Sequence, residues 1–295
     1  MAKVSFDLIW CQQQFMHHLE RMEYSTETRR GYEKDMQFFT RFLEERKAKT
    51  DIQVEDIFKD DLLAFMDLGR RMKHAPNTVA RRLSTIKSFY KFLVNECDYP
   101  VDLAARIKLP KTYIPLRDIL TESEIYNLLE YVAKVDPMYH LLYSILYYTG
   151  SRLTAVRTLE KKNILLDQRI IYFPRVKGGK DLYLPIHDRL MELLIYYFQT
   201  SHAEGSHLLF PSRRFPAQPV SAADVRLKLK KYAYAAKIDK HVTPHSIRHS
   251  TATHLTLKRV DQRTIASILG HSDLRSTMRY QHLAIEHLRE PINVL

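Results

Sequence analysis

Apolar positions recur at helical spacing through the first third of this chain. Tyr32, Met36, Phe39 and Leu43 follow Ser25 and Thr26, which are good helix caps. Val79, Leu83, Ile86 and Tyr90 repeat the pattern after Asn77 and Thr78, and Pro76 marks that helix start. Pro100 breaks the pattern. So does the stretch 109–116, with Pro110 and Pro115, which reads as a linker. A new start follows at Thr121, with Glu124 three residues on as a capping box. Helices are then predicted to about Thr149. The period changes at Ile170–Phe173, which is β-branched and aromatic, and at Asp181–Ile186, which alternates. Between them Val176-Lys177-Gly178-Gly179-Lys180 reads as a hairpin turn. Helical spacing resumes after Ser221 and runs to near the end. The pattern predicts a mostly α chain with a small β-sheet. Its expected parts are a helical domain over 1–108, a linker over 109–119 and an α+β domain over 120–295 that includes an apolar tail.

Composition narrows the partner. Of 295 residues, 45% are hydrophobic, enough for real cores and against disorder. The net charge of +12 favours a polyanion, and double-stranded DNA is the expected one. From Leu68 to Asn95 no acidic residue occurs, while Arg70, Arg71, Lys73, Arg81, Arg82, Lys87 and Lys91 do. A solvated helix face usually mixes both signs, so this run reads as a contact to the DNA backbone. Cys11 and Cys97 are the only cysteines and make neither a disulfide framework nor a thiolate zinc site. No apolar run spans a bilayer and no signal-peptide core opens the chain, so a cytoplasmic, nucleoid-associated protein with no membrane partner is expected. The seven glycines form no phosphate-cradling loop. ATP and NAD chemistry are therefore disfavoured, and no cofactor is expected.

Four short segments carry candidate chemistry. In Thr243-Pro244-His245-Ser246-Ile247-Arg248-His249, threonine caps and proline opens a helix. His245 and Arg248 then share one face near its start, where free N–H groups favour an anion. His245 and His249 have zinc-ligand spacing, but the metalloprotease pattern wants glutamate where Ser246 stands, and Arg248 would repel a dication. No metal is expected. Leu269-Gly270-His271 ends a helix with a C-cap glycine, and Ser276 and Thr277 cap a short helix that carries Tyr280. A tyrosine with a free pKa of roughly 10 needs a base or a cationic setting to attack. Upstream, Thr149-Gly150-Ser151-Arg152 sets an arginine at a helix junction, suited to a bidentate grip on phosphate oxygens. Lys177 sits at the hairpin tip, where it can serve as general acid; Lys180 flanks the same glycine pair.

Together these segments resemble the tyrosine recombinase family, the phage integrase and Xer-like enzymes. The helix around Arg81-Arg82-Leu83-Ser84-Thr85-Ile86 also looks like that family's core-binding domain. The resemblance implies an N-terminal core-binding domain and a C-terminal catalytic domain. It implies an activating pocket of Arg152, Lys177, His245, Arg248 and His271, with Tyr280 as nucleophile and no metal. It implies a 3′-phosphotyrosine intermediate and strand exchange through a Holliday junction in a homotetramer on paired DNA sites, with accessory proteins or a partner recombinase in some systems. The tail, with Leu283, Ile285, Leu288, Ile292 and Leu295, is expected to dock on a neighbouring copy. One departure is Ala155, where the family often has an acidic residue; Glu160 is the candidate substitute. The competing readings are a type IB topoisomerase-like nicking-closing enzyme, a catalytically silent DNA-binding regulator and a metal-dependent nuclease.

Overall fold

A computed structural model describes residues 6–110, 118–176, 180–200 and 205–270. The chain divides into two compact units, Met1–Pro115 and Leu116–Leu295.

Among its described residues the first unit holds four α-helices, α1 (Leu8–Arg21), α2 (Thr26–Lys47), α3 (Lys59–Arg71) and α4 (Pro76–Glu96). Asp7 and Ser25 cap α1 and α2 by accepting from the N–H groups of Trp10 at 2.7 Å and Thr28 at 3.2 Å. Ala75 occupies the cap position of α4 and Pro76 its first turn. Pro76 opens the helix as the sequence predicts, with Asn77 and Thr78 in its first turn, because proline is pre-organised for the first helical position. The core is aromatic. Phe15, Phe39, Phe89 and Tyr90 are fully buried, and Phe15 meets Phe89 edge-on with ring centres 5.6 Å apart. A Cβ on Gly69 would stand 2.7 Å from a methyl of Val79, so glycine is what allows α3 to come this close to α4.

Among its described residues the second unit wraps a three-stranded antiparallel sheet with helices. Its elements are α5 (Glu122–Val135), α6 (Pro137–Thr149), α7 (Leu153–Arg157), β1 (Ile164–Leu165), β2 (Ile170–Val176), β3 (Lys180–Pro185), α8 (Asp188–Thr200), α9 (Ala222–Ala235), α10 (Pro244–Leu257) and α11 (Gln262–Leu269). Strand order is β1-β2-β3, with Ile171 opposite Leu184 and Tyr172 opposite Tyr183. The register shifts between Phe173 and Val176, around Pro174, which cannot donate to the ladder. Helix α6 is the unit's axis. Leu141 through Leu146 are all buried, as expected of a helix apolar on every side. Its start is pinned by Asp136, 4% exposed, whose carboxylate accepts from Arg213, Lys228 and the Tyr232 hydroxyl at 3.0–3.1 Å. Thr121 and Glu124 form the predicted capping box. Among the described residues no helix is long and apolar enough to cross a membrane.

Candidate active site

Helix α10 carries His245 and Arg248, and its sequence explains why it begins where it does. Thr243 accepts from the Ser246 N–H at 3.0 Å, and the Ser246 hydroxyl accepts from the Thr243 N–H at 2.8 Å. This reciprocal box uses serine where glutamate is usual. The helix is polar yet buried: Ser246, Ser250, Thr251, Thr253, His254 and Thr256 are all withdrawn from solvent. Several hydroxyls are satisfied within the helix, Ser250 on the Ser246 carbonyl at 2.9 Å and Thr256 on the Ala252 carbonyl at 2.9 Å.

Arg248 is 4% exposed and ties two helix ends together. One terminal nitrogen donates to the Gly150 carbonyl at 2.6 Å, the other to the Leu269 carbonyl at 2.8 Å. Gly150 caps the C-terminus of α6 with φ of 58°, and Gly270 caps α11 with φ of 60°. Carbonyls at helix C-termini lack intrahelical partners and lie at the negative end of the dipole, so a guanidinium suits them. The two ends also touch directly. A Cβ on Gly150 would fall 2.5 Å from Leu269.

Arg152 follows two residues after the gripped Gly150 carbonyl, at the cap position of α7. It is half-buried, and burial pulls its pKa below the ordinary value. His245 is exposed one turn before Arg248, with its ring 5.6 Å from that of His249. Arg248 thus sits where the ends of α6 and α11 meet α10, with Arg152 two residues on from one of its carbonyl partners and His245 one turn back on α10. Ala155 packs against the apolar core, while Glu160 pairs with Lys162 at 2.7 Å. Lys177, His271 and Tyr280 lie outside the described residues, as does the tail 281–295. Lys180 opens β3, and His271 is next in sequence after Gly270. Among the described residues no group of three or more metal-ligating side chains occurs.

The basic run of the first unit is more divided than its sequence. Arg70, Arg71, Lys73, Arg81 and Lys91 are exposed. Arg81 nevertheless pairs with the buried Asp35, and Arg70 makes a surface pair with Asp67 at 3.3 Å. Arg82 turns inward: it lies 3.9 Å from Asp35, donates to His74 Nδ1 at 3.0 Å and stacks 3.7 Å over the Phe38 ring. Lys87 donates to the Ala105 carbonyl at 3.0 Å.

Sequence reasoning missed a second set beside the arginines. Tyr147, Ser250 and His254 surround the backbone of Leu120 and the last turn of α6. The available signal was a histidine and several hydroxyls one and two turns beyond Arg248.

The phage integrase family profile matches residues 118–287, and that of the phage integrase N-terminal SAM-like domain matches residues 13–97. Tyrosine recombinase XerA of Thermococcus kodakarensis is 35% identical over 235 residues, covering 80% of this chain and 81% of the relative. Tyrosine recombinase XerD of Shewanella oneidensis is 29% identical over 274 residues, covering 90% and 89%. In fold, the chain is similar to the Tn1549 transposon integrase bound to transposon right end DNA. That likeness has a TM-score of 0.75 at 16% identity over 98% of this chain and 99% of the other. A lambda integrase tetramer bound to a Holliday junction gives 0.73 at 16%, over 94% and 78%. The chain belongs to the phage integrase family of tyrosine recombinases, and is a Xer-like, site-specific recombinase that exchanges DNA strands.

Proposed function

We propose that Arg152, Lys177, His245, Arg248 and His271 activate one DNA phosphodiester and that Tyr280 attacks it. The observation that carries this reading is the double grip of Arg248 on Gly150 and Leu269. It holds the start of Arg152's turn beside the end of the helix from which the chain runs on to His271 and Tyr280. Attack builds negative charge on the non-bridging oxygens. Arg152 and Arg248 facing those oxygens stabilise the transition state more than the ground state. His245 or His271 takes the phenol proton, and Lys177 gives a proton to the departing 5′-oxygen. The Tyr280 oxygen forms its bond to phosphorus as the 5′-oxygen bond breaks. The 3′-phosphotyrosine keeps the phosphodiester energy, so a 5′-hydroxyl from a second duplex reverses the step and completes the exchange.

The functional division is a core-binding part, 1–108, and a catalytic part, 120–295, connected by 109–119. Both contact the duplex, the first through the cations of the basic run that are not held on Asp35. Four copies act on two sites, with residues 281–295 docking on a neighbour, and nucleoid DNA is the substrate. The sequence spacing of the tail and the tetrameric relative support this assembly.

A duplex nicked near the scissile phosphate traps the covalent state. Unaltered protein is expected to give a protein–DNA adduct on a denaturing gel, in EDTA, and Tyr280→Phe none. An adduct mapped to another tyrosine overturns the nucleophile. Tetramers on DNA that persist after deletion from Glu286 onward overturn the role of the tail.

A further inference from the structure

The residues Asp118, Ile119 and Leu120 are strapped to the segment that carries His245 and Arg248. The His241 N–H donates to Asp118 at 3.1 Å. Lys240 Nζ donates to the Ile119 carbonyl at 2.9 Å and to Glu124 at 2.6 Å. Leu120, wholly buried, has both backbone groups taken by α10. Its N–H donates to Ser250 Oγ at 2.8 Å, and its carbonyl lies 2.9 Å from His254 Nε2. A carbonyl only accepts, so the His254 proton sits on Nε2. Nδ1 is left to accept from the Tyr147 hydroxyl at 3.0 Å. Burial favours this neutral form, pulling the imidazole pKa down and pushing the Tyr147 phenol up to about 12. Thr251 closes the circuit by donating to the Tyr147 carbonyl at 2.8 Å. Tyr147 lies one turn before Gly150, the residue that Arg248 grips.

We infer that Ser250, His254 and Tyr147 are positioning residues, which clamp α10 to the last turn of α6 through the Leu120 backbone and so set the spacing of Arg152, His245 and Arg248. This rests on the reading of those three as the phosphate-activating groups. Buried, fully engaged hydrogen bonds define one arrangement because every alternative strands a donor or an acceptor. Helix α10 carries Arg248, and Arg152 follows the end of α6 by three residues. A loosened circuit changes the geometry offered to phosphorus without touching DNA.

The test uses the full chain and the nicked duplex, with the single-turnover rate of adduct formation, DNA affinity and thermal unfolding measured separately. Ser250→Ala and His254→Leu are expected to slow adduct formation by about 10- to 100-fold, with affinity changed by less than about twofold. His254→Gln, whose amide can donate where Nε2 does, should recover most of that loss. Wild-type rates in folded Ser250→Ala and His254→Leu overturn the inference. So does a glutamine variant no faster than the leucine one, or rate and affinity falling together with the folded fraction. If His254→Leu does not fold, Ser250→Ala alone decides. No adduct with the unaltered protein instead overturns the reading of the site, so the two failures are distinct.

Discussion

Arg82 and Arg248 are both arginines drawn out of water, one in each unit, and they are held in opposite ways. Arg82 faces the Asp35 carboxylate and the Phe38 ring. Arg248 donates to two backbone carbonyls. A carboxylate cancels the charge it orients. A neutral carbonyl orients a guanidinium without neutralising it, and the donors are aimed by covalent helix ends. The difference separates a cation set against a buried carboxylate from one set on two helix-end carbonyls, and it follows from the partner, not from the residue type.

Truncating each arginine tests the contrast most strongly. Arg248→Ala should slow adduct formation on the nicked duplex by about 10²- to 10³-fold. Arg82→Ala should lower unfolding free energy by about 1–3 kcal/mol, measured by urea titration, and leave the cleavage rate of folded protein unchanged. The reverse outcome would break the comparison.

Glycines extend it. Gly150→Ala places a Cβ at φ of 58° and against the buried Leu269. The backbone alone should cost about 1–2 kcal/mol. At Gly31, inside α2, an alanine methyl would meet nothing within 4 Å beyond its own helix turn and chain neighbours. Gly31→Ala should therefore stabilise by about 0.4–1 kcal/mol. Thermal unfolding of the two variants should move in opposite directions.

A smaller effect is expected from Thr243→Ala, which removes the cap of α10 and should cost about 1 kcal/mol in a urea titration.

The gentlest test is pH. Burial lowers the pKa of His254, near Glu122 and Lys258, and of His140, both in the second unit. The unfolded chain then binds protons more readily, so stability is full above the ordinary value of 6.5 and falls as pH drops from there toward the folded-state pKa. In the first unit burial pushes the Asp61 carboxyl up, but hydrogen bonds from Lys47, the Phe58 N–H and Arg46 hold it below 3.8. That unit should weaken only in stronger acid. Trp10, the single tryptophan, reports on the first unit, and circular dichroism reports on both. Loss of the Trp10 signal before helix loss on acidification would contradict this order.

Helix ends were legible because capping is local chemistry. Ser25, Thr121, Ser221 and Thr243 stand at cap positions, and Gly150 and Gly270 close helices in the left-handed region. Helix α8 was not read. Its buried positions Leu190, Leu194 and Tyr197 do recur at helical spacing, but the apolar residues between them blur that face in the sequence. Strand β1 has only two residues, too few for a period. Arg152, His245 and Arg248 are singled out by residue type and position, but the contact of Arg248 with the ends of α6 and α11 needs the fold. The inward turn of Arg82 was hidden because Asp35 lies on another helix, and α10 reads as polar although tertiary packing buries it.

Asp35 has one more consequence, in the ions around the DNA. Each cation that neutralises a phosphate sets free condensed counterions, so affinity falls with salt at a slope of about −0.9 per contact. Were all of Arg70, Arg71, Lys73, Arg81, Arg82, Lys87 and Lys91 to reach phosphate, their share of that slope would be about −6.3. With Arg81 and Arg82 kept on Asp35 it would be about −4.5. On the proposed reading, a carboxylate sealed inside the first unit would thereby make the protein's hold on DNA less sensitive to salt than its count of basic residues implies.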